Sequence, residues 1–437
     1  MNIISNLLWS ISTVLLLGTG IYFAIKLNFL HLNFKEIIKS LKNKDKESGG
    51  ISPFESLSVA LGGCIGVGSL AGIALAIYKG GIGTIFWIWL SCLLVAPNSL
   101  VENTLALIYQ KKDKKEYVGG PSYYIETGLG YKKLAMLYAF LITVAYLLGF
   151  LTIQSNTIVK SITNIFNIPS ILVGLVIGLI SYFIIKKGTK GIAKFSSIVV
   201  PIMGAIYLII SLIIIFKNIT LMPRLIINIV KEAFNFKSLG WGVLSSMLIG
   251  IQRGIFSSEA GTGTAAIASG SSTIKSPIKQ GLIQSLGIYF ITFIICTSTA
   301  LIILTSNYKP LDYTNVNGIE ITQNALIYHL GSFGNLVLYF CILAFSFSTI
   351  VSGYFYGETN LKYILKNMND NHIFILKIIT CLLLTLSSIV SPTILWDFVD
   401  ILAALLVVIN VFAIFSLRKD VIIEYMSYKR KCSNDRK

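Results

Sequence analysis

Long apolar stretches separated by short polar ones run along almost the whole chain. Eleven of them are long enough to cross hydrocarbon as helices, at 6–26, 54–78, 83–109, 134–158, 170–186, 195–216, 240–264, 280–304, 335–357, 373–391 and 396–417. The first run has no basic segment ahead of it and is followed by Lys26, which marks a retained helix and not a cleaved leader. The pattern predicts an all-α integral membrane protein with about 11 transmembrane helices.

Composition points the same way. Of 437 residues, 54% are hydrophobic and 13% charged, with mean hydropathy +0.77. Soluble domains carry about a quarter charged residues, so an ordinary soluble enzyme is excluded. The net charge of +17 would suit a nucleic-acid partner until the charges are placed. Alternate connections hold 28 of the 36 Lys and Arg, the other connections hold 7, and Arg253 falls inside a span. Cytoplasmic loops collect basic residues. The split therefore predicts a multi-pass plasma-membrane protein with the N-terminus outside and the C-terminus cytoplasmic, whose partner is the lipid bilayer and not nucleic acid.

Six cysteines are scattered without metal-ligand spacing, and His31, His329 and His372 lie far apart in sequence. No phosphate-loop motif offers an internal ATPase, and no span carries a nucleophile with a histidine base. The chain is expected to be neither an enzyme nor dependent on an organic cofactor. Gly66-x-Gly68-x-x-Ala71 loosely matches a dinucleotide fingerprint, but it follows no strand and is discounted.

Two spans are crowded with glycine. The second contains Gly62, Gly63, Gly66, Gly68 and Gly72; the seventh contains Gly242, Gly250, Gly254, Gly261 and Gly263 with Arg253 and Glu259. Each interior glycine weakens a helix by about 1 kcal/mol. These spans open two successive sets of five, which cross the membrane in opposite senses because five is odd. Glycine-interrupted spans at matching positions of inverted halves point to a secondary transporter with a midplane site. Close packing through small residues is the competing reading of either segment alone. The expected organisation is an extra helix and basic linker (1–50), a first repeat (51–218), an external loop (219–239), a second repeat (240–417) and a basic tail (418–437).

Several blocks carry a family resemblance. Gly66-Val67-Gly68-Ser69, Gly119-Gly120-Pro121-Ser122-Tyr123-Tyr124-Ile125-Glu126, Gln154-Ser155-Asn156, Arg253-Gly254-Ile255-Phe256-Ser257-Ser258-Glu259-Ala260-Gly261 and Trp396 through Asp400 together resemble the alanine/glycine:cation symporters, also called sodium:alanine symporters. The resemblance extends over nearly everything after the first helix. It implies a leucine-transporter-type five-plus-five inverted repeat with one extra helix, and cation-coupled uptake of a small neutral amino acid, typically alanine or glycine, with sodium as the coupling ion.

A zwitterion needs donors for its carboxylate and acceptors for its ammonium. Unwound backbone from Cys64 through Gly66, Val67 and Gly68 is expected to supply donors, with Gln154 and Asn156 as polar contacts. Freed carbonyls near Ser246, Met247 and Gly250 are expected to face the ammonium. The resemblance implies a sodium site from the carbonyls of Gly62, Ile65 and Phe345 and the hydroxyls of Ser348 and Thr349. A buried Arg253 needs a carboxylate. Glu102 is the first choice and Glu259 the second, forming a pair that either closes an inner gate or is a static structural pair. The chain departs from the family pattern at Val67, Ser69, Ser258 and Ile291, which reduces the expected stoichiometry to one sodium. Another amino acid, proton coupling, or a passive channel-like or receptor-like relative are the alternatives.

Overall fold

The computed structural model describes residues 2–41, 50–113, 116–163, 166–235, 242–307 and 318–434. Its helices are α1 (Asn2–Lys26), α2 (Phe34–Leu41), α3 (Pro53–Cys64), α4 (Ile73–Gly80), α5 (Thr84–Ile108), α6 (Pro121–Leu129), α7 (Lys132–Val144), α8 (Leu151–Thr163), α9 (Ser170–Ile185) and α10 (Gly188–Lys217). The second part continues with α11 (Met222–Ala233), α12 (Gly242–Ser258), α13 (Thr264–Ser269), α14 (Pro277–Tyr289), α15 (Thr297–Leu304), α16 (Gly318–Leu330), α17 (Phe333–Leu365), α18 (Asp370–Leu386), α19 (Pro392–Ser416) and α20 (Arg418–Asn434). One small hairpin, β1 (Lys111–Asp113) and β2 (Glu116–Val118), interrupts the helical order.

Among the described residues the eleven apolar runs fall largely on helices; positions 240–241 of the seventh lie outside the described residues. Eight described helices are long and apolar enough to span a bilayer, and α3 with α4 makes a ninth span bent by 54°. The remaining two, α9 and α12, have 16 and 17 residues. Wide π turns, at Ala145–Phe150 and Phe290–Cys296, join α7 to α8 and α14 to α15. The expected external loop 219–239 contains a helix of its own, α11, which buries Met222, Ile229 and Ala233 while Ile226 and Ile227 stay exposed, as in a helix lying at a membrane surface.

The connections sort into two ends. At one end Gln110 donates to the carbonyls of Gly270 and Ser272. There too, Tyr109 donates to Asp420, Tyr363 to Glu126, Thr189 to Glu116, and Lys377 to the carbonyl of Lys186. These contacts tie together the connections that carry most of the basic residues. At the other end Phe86 packs on Phe234 at 5.0 Å, and Gln323 donates to Asn335. The N-terminal half of α1 lies at this second end, where Ser5 and Asn6 share a cavity with Lys79. The basic and basic-poor connections therefore occupy opposite ends of the bundle.

The basic end contains a pH-sensitive element. His31 lies in a single 3-10 turn after α1, buried and beside Phe29, and burial pushes its imidazole down to about 4. The unfolded chain takes up this proton first, near 6.5. His31 therefore contributes stability that is complete above pH 6.5 and lost as pH falls toward 4. Thermal unfolding of His31→Gln in detergent is expected to depend less steeply on pH between 7 and 5 than that of the parent chain; equal slopes would contradict this.

Candidate functional site

The second span breaks where its glycines cluster. Ser52 and Glu55 cap α3 reciprocally, and the helix stops at Cys64. The chain then turns through Ile65 to Val67 before resuming as a π turn, Gly68–Gly72, and α4. The freed Val67 N–H donates to the Gln154 side-chain oxygen at 3.2 Å, and Ser69 bonds back to the Gly66 carbonyl. Gly66 leaves no room for a methyl group, since a Cβ there would lie 2.7 Å from the Thr349 hydroxyl and 2.9 Å from the Gln154 nitrogen.

The predicted sodium residues come together beside this break. The Ser348 hydroxyl lies 3.2 Å from the Gly62 carbonyl and 2.8 Å from that of Phe345; the Thr349 hydroxyl lies 3.0 and 3.1 Å from the same two. Four hard oxygens thus converge between the end of α3 and the middle of α17. Carbonyl and hydroxyl oxygens of this kind are the neutral donors that suit a hard cation.

The break in the seventh span is elsewhere than expected. Helix α12 is continuous through Ser246, Met247 and Gly250, so their carbonyls are engaged within the helix and not freed. Gly250 serves close approach: a Cβ there would sit 2.6 Å from the Thr84 carbonyl of α5. The chain unwinds at Glu259, Gly261 and Gly263, with φ of 51°, 77° and 89°. Such values suit glycine but strain glutamate. The strained loop is held on several sides. Tyr138 donates to the Thr262 carbonyl at 2.6 Å, Asn410 to the Gly261 carbonyl at 2.9 Å, and Thr264 to the Glu259 carboxylate at 2.7 Å.

Between the two breaks lies a cavity of about 20 Å³, lined by Gly63, Cys64, Gly66, Gly68, Gln154, Glu259 and the rings of Phe150, Phe256 and Trp396, among others. That volume suits about one water. Phe256 packs 5.8 Å from Phe150 and 5.9 Å from Trp396, roofing the cavity on the side of the N-terminus. Beyond the roof are two larger cavities. One of about 130 Å³ includes Asn156, Lys160, Glu320 and Trp396 in its wall; the other, about 690 Å³, includes Trp9, Lys79, Arg253, Asp397 and Asp400.

Arg253 pairs with Asp400 of α19 at 3.6 Å, not with Glu102 or Glu259. The reason is depth. Gly254 packs on Ile88 and Ser91 of α5, whereas Glu102 lies about 16 Å further along that helix, at 1.5 Å per residue. Glu102 is fully buried and accepts from Asn410 at 2.7 Å. The Arg253 pair stands on the N-terminal side of the aromatic roof, so it is at the opposite end from the expected inner gate. Asn156 also differs from expectation: its amide nitrogen donates to the carbonyls of Ser387 and Val390, at 2.7 and 2.9 Å, where α18 ends in a 3-10 turn. Asp400 is the residue that sequence reasoning missed. Its spacing of four from Trp396 places both on one helix face, which was the available signal.

A helical membrane bundle with two facing broken spans and a midplane cavity defines a secondary transporter, and comparison with known proteins gives the family. The profile of the sodium:alanine symporter family matches residues 1–437, and the chain belongs to that family. It is 36% identical to the amino-acid carrier protein AlsT of Bacillus subtilis, over 98% of this chain and 92% of that one. It is 37% identical to the probable sodium/glutamine symporter GlnT of the same organism, over 98% and 90%. Identity to the sodium/alanine symporter AgcS of Methanococcus maripaludis is 30%, over 100% and 98%. Among solved structures, MhsT in complex with L-phenylalanine superposes with TM-score 0.60 at 16% identity, covering 84% of this chain and 89% of that one. That likeness establishes the leucine-transporter-type fold. Membership places the chain among sodium-coupled amino-acid symporters and not among enzymes.

Proposed function

We propose that this chain couples inward sodium flow to uptake of a small neutral amino acid of the alanine or glycine type, alternating access between the two ends of the bundle. The observation that carries the reading is the convergence of the Gly62 and Phe345 carbonyls with the Ser348 and Thr349 hydroxyls beside the broken second span. With a cation present, the hydroxyls turn their lone pairs to it and their protons away, and Ile65 adds a carbonyl. Binding then braces α3 against α17 and fixes the geometry of the adjacent break.

The substrate occupies the midplane cavity once its walls part. Its carboxylate takes the place of the Gln154 oxygen among the backbone donors from Gly66 to Gly68 at the start of the resumed helix, where the dipole is favourable. Phe150, Phe256 and Trp396 leave little space for a side chain, which favours small substrates. Arg253 and Asp400, each one turn from a roof ring, form an outer latch on the extracellular side, given the N-terminus outside and the basic end in the cytoplasm.

A panel of labelled glycine, L-alanine, D-alanine, glutamine and phenylalanine offered to proteoliposomes, with and without sodium, tests the substrate assignment. Sodium-dependent uptake of glycine or alanine is expected, exceeding that of phenylalanine by at least about tenfold, since a substrate too large for a preformed site loses several kcal/mol. Preference for glutamine or phenylalanine would overturn it.

A further inference from the structure

With Ser246, Met247 and Gly250 inside an intact helix, another group must receive the substrate's ammonium, and the cavity wall contains one. Glu259 lines the midplane space together with Cys64, Gln154 and Ser257. It is 4% exposed and held in a left-handed conformation immediately after the last turn of α12. We propose that the Glu259 carboxylate is the counter-charge for the ammonium group of the transported amino acid. The inference deepens the amino-acid reading above and rests on it.

Three observations point this way. First, among the described residues no cation lies against Glu259. The titratable groups that face it are Cys64 of α3, Glu102 of α5, Tyr138 of α7, Tyr146 of the following π turn and Tyr356 of α17. None carries positive charge, Arg253 is paired with Asp400, and Lys362 is paired with Glu358. A buried carboxylate without a cation is strongly disfavoured, so Glu259 carries its charge only where a positive group comes to rest beside it, and unlike Glu102 it lines the cavity through which a ligand's ammonium can reach it.

Second, the groups around Glu259 position it without neutralising it. Thr264 donates to one oxygen at 2.7 Å, and Tyr146 and Cys64 are neighbours of the carboxylate, the Cys64 thiol donating to the adjacent Ser258 carbonyl. The side chain is thereby anchored from α13, while remaining part of the cavity wall.

Third, the cavity is dipolar. Its one side is the backbone of Gly66 and Gly68, at the start of the resumed second span; its other is the C-terminal end of α12, with Ser257 and Glu259. Helix C-termini favour cations and N-termini favour anions. A zwitterion therefore lies across the cavity with its carboxylate toward the second span and its ammonium toward Glu259. An acid lacking the amino group leaves the carboxylate unpaired, which sets the demand for an α-amino acid.

The test compares the purified parent chain with Glu259→Gln and Glu259→Asp in detergent. Alanine binding is followed by calorimetry with sodium saturating, and sodium binding by the fluorescence of the tryptophans. Glu259→Gln is expected to weaken alanine binding on the order of a hundredfold, the usual effect of removing one partner of a buried charged pair. Its sodium affinity should stay within about threefold of the parent, and Glu259→Asp should recover part of the alanine affinity. Alanine binding unchanged in Glu259→Gln would overturn the inference. So would equal loss of sodium and alanine binding in both variants, which would make Glu259 a support of the break alone. A parent chain that binds sodium but no amino acid would instead refute the substrate reading itself.

Discussion

Replacing Ser348 and Thr349 together by alanine is expected to raise the sodium concentration that half-saturates transport by about two orders of magnitude. The two hydroxyls supply half of the four oxygens that converge between α3 and α17. A hydrogen-bonding group facing a charge contributes roughly 1.5–3 kcal/mol, so each loss alone corresponds to about a tenfold change or more. Ser122→Ala is the control, because it also removes a buried hydroxyl, one bonded to Asn360 at 2.6 Å and remote from this cluster. Sodium titration of alanine uptake at saturating alanine separates them. A similar sodium requirement in the double variant and in Ser122→Ala would remove the hydroxyls from the coupling site.

The second large effect concerns the latch over the aromatic roof. Arg253→Gln and Asp400→Asn are each expected to lower transport by about tenfold, in line with leaving one partly buried charge unpaired. The exchanged pair, Arg253→Asp with Asp400→Arg, should restore much of it. Lys79 and Asp397 share the cavity and soften the single losses. A static pair would behave the same way in transport, so a second measurement is needed. Cys64 lines the midplane cavity beneath the roof. In a background with the two half-buried thiols Cys381 and Cys432 changed to serine, a membrane-impermeant thiol reagent added outside should modify Cys64 several times faster in either single variant than in the parent. Unchanged modification rates would show that the pair does not gate access.

The apolar runs and the alternation of basic residues contain most of the fold, because lipid demands long helices and loops take up charge asymmetrically. The hydroxyl and carbonyl cluster proposed for sodium was reachable through family resemblance, since Ser348 and Thr349 by periodicity alone are ordinary hydroxyls in a helix. The seventh span shows where sequence stops being sufficient. Its glycines serve two purposes that look alike in a sequence. Gly250 and Gly254 let α12 touch α5, where a Cβ would lie 2.6 Å from Thr84 and 2.3 Å from Ser91. Gly261 and Gly263 permit positive φ. The Arg253 partner was missed for a different reason: Asp400 is 147 positions away on α19, and only the packing of three helices brings it to the right depth.

The central claim is that sodium moving down its gradient drives an amino acid up its own. The direct measurement is the steady-state ratio of labelled alanine inside to outside proteoliposomes containing the purified chain, with an imposed sodium gradient and the membrane potential clamped to zero. One coupled sodium predicts a ratio that rises in proportion to the sodium ratio and returns to one when a sodium ionophore is added. A ratio fixed at one under every sodium gradient would contradict the account.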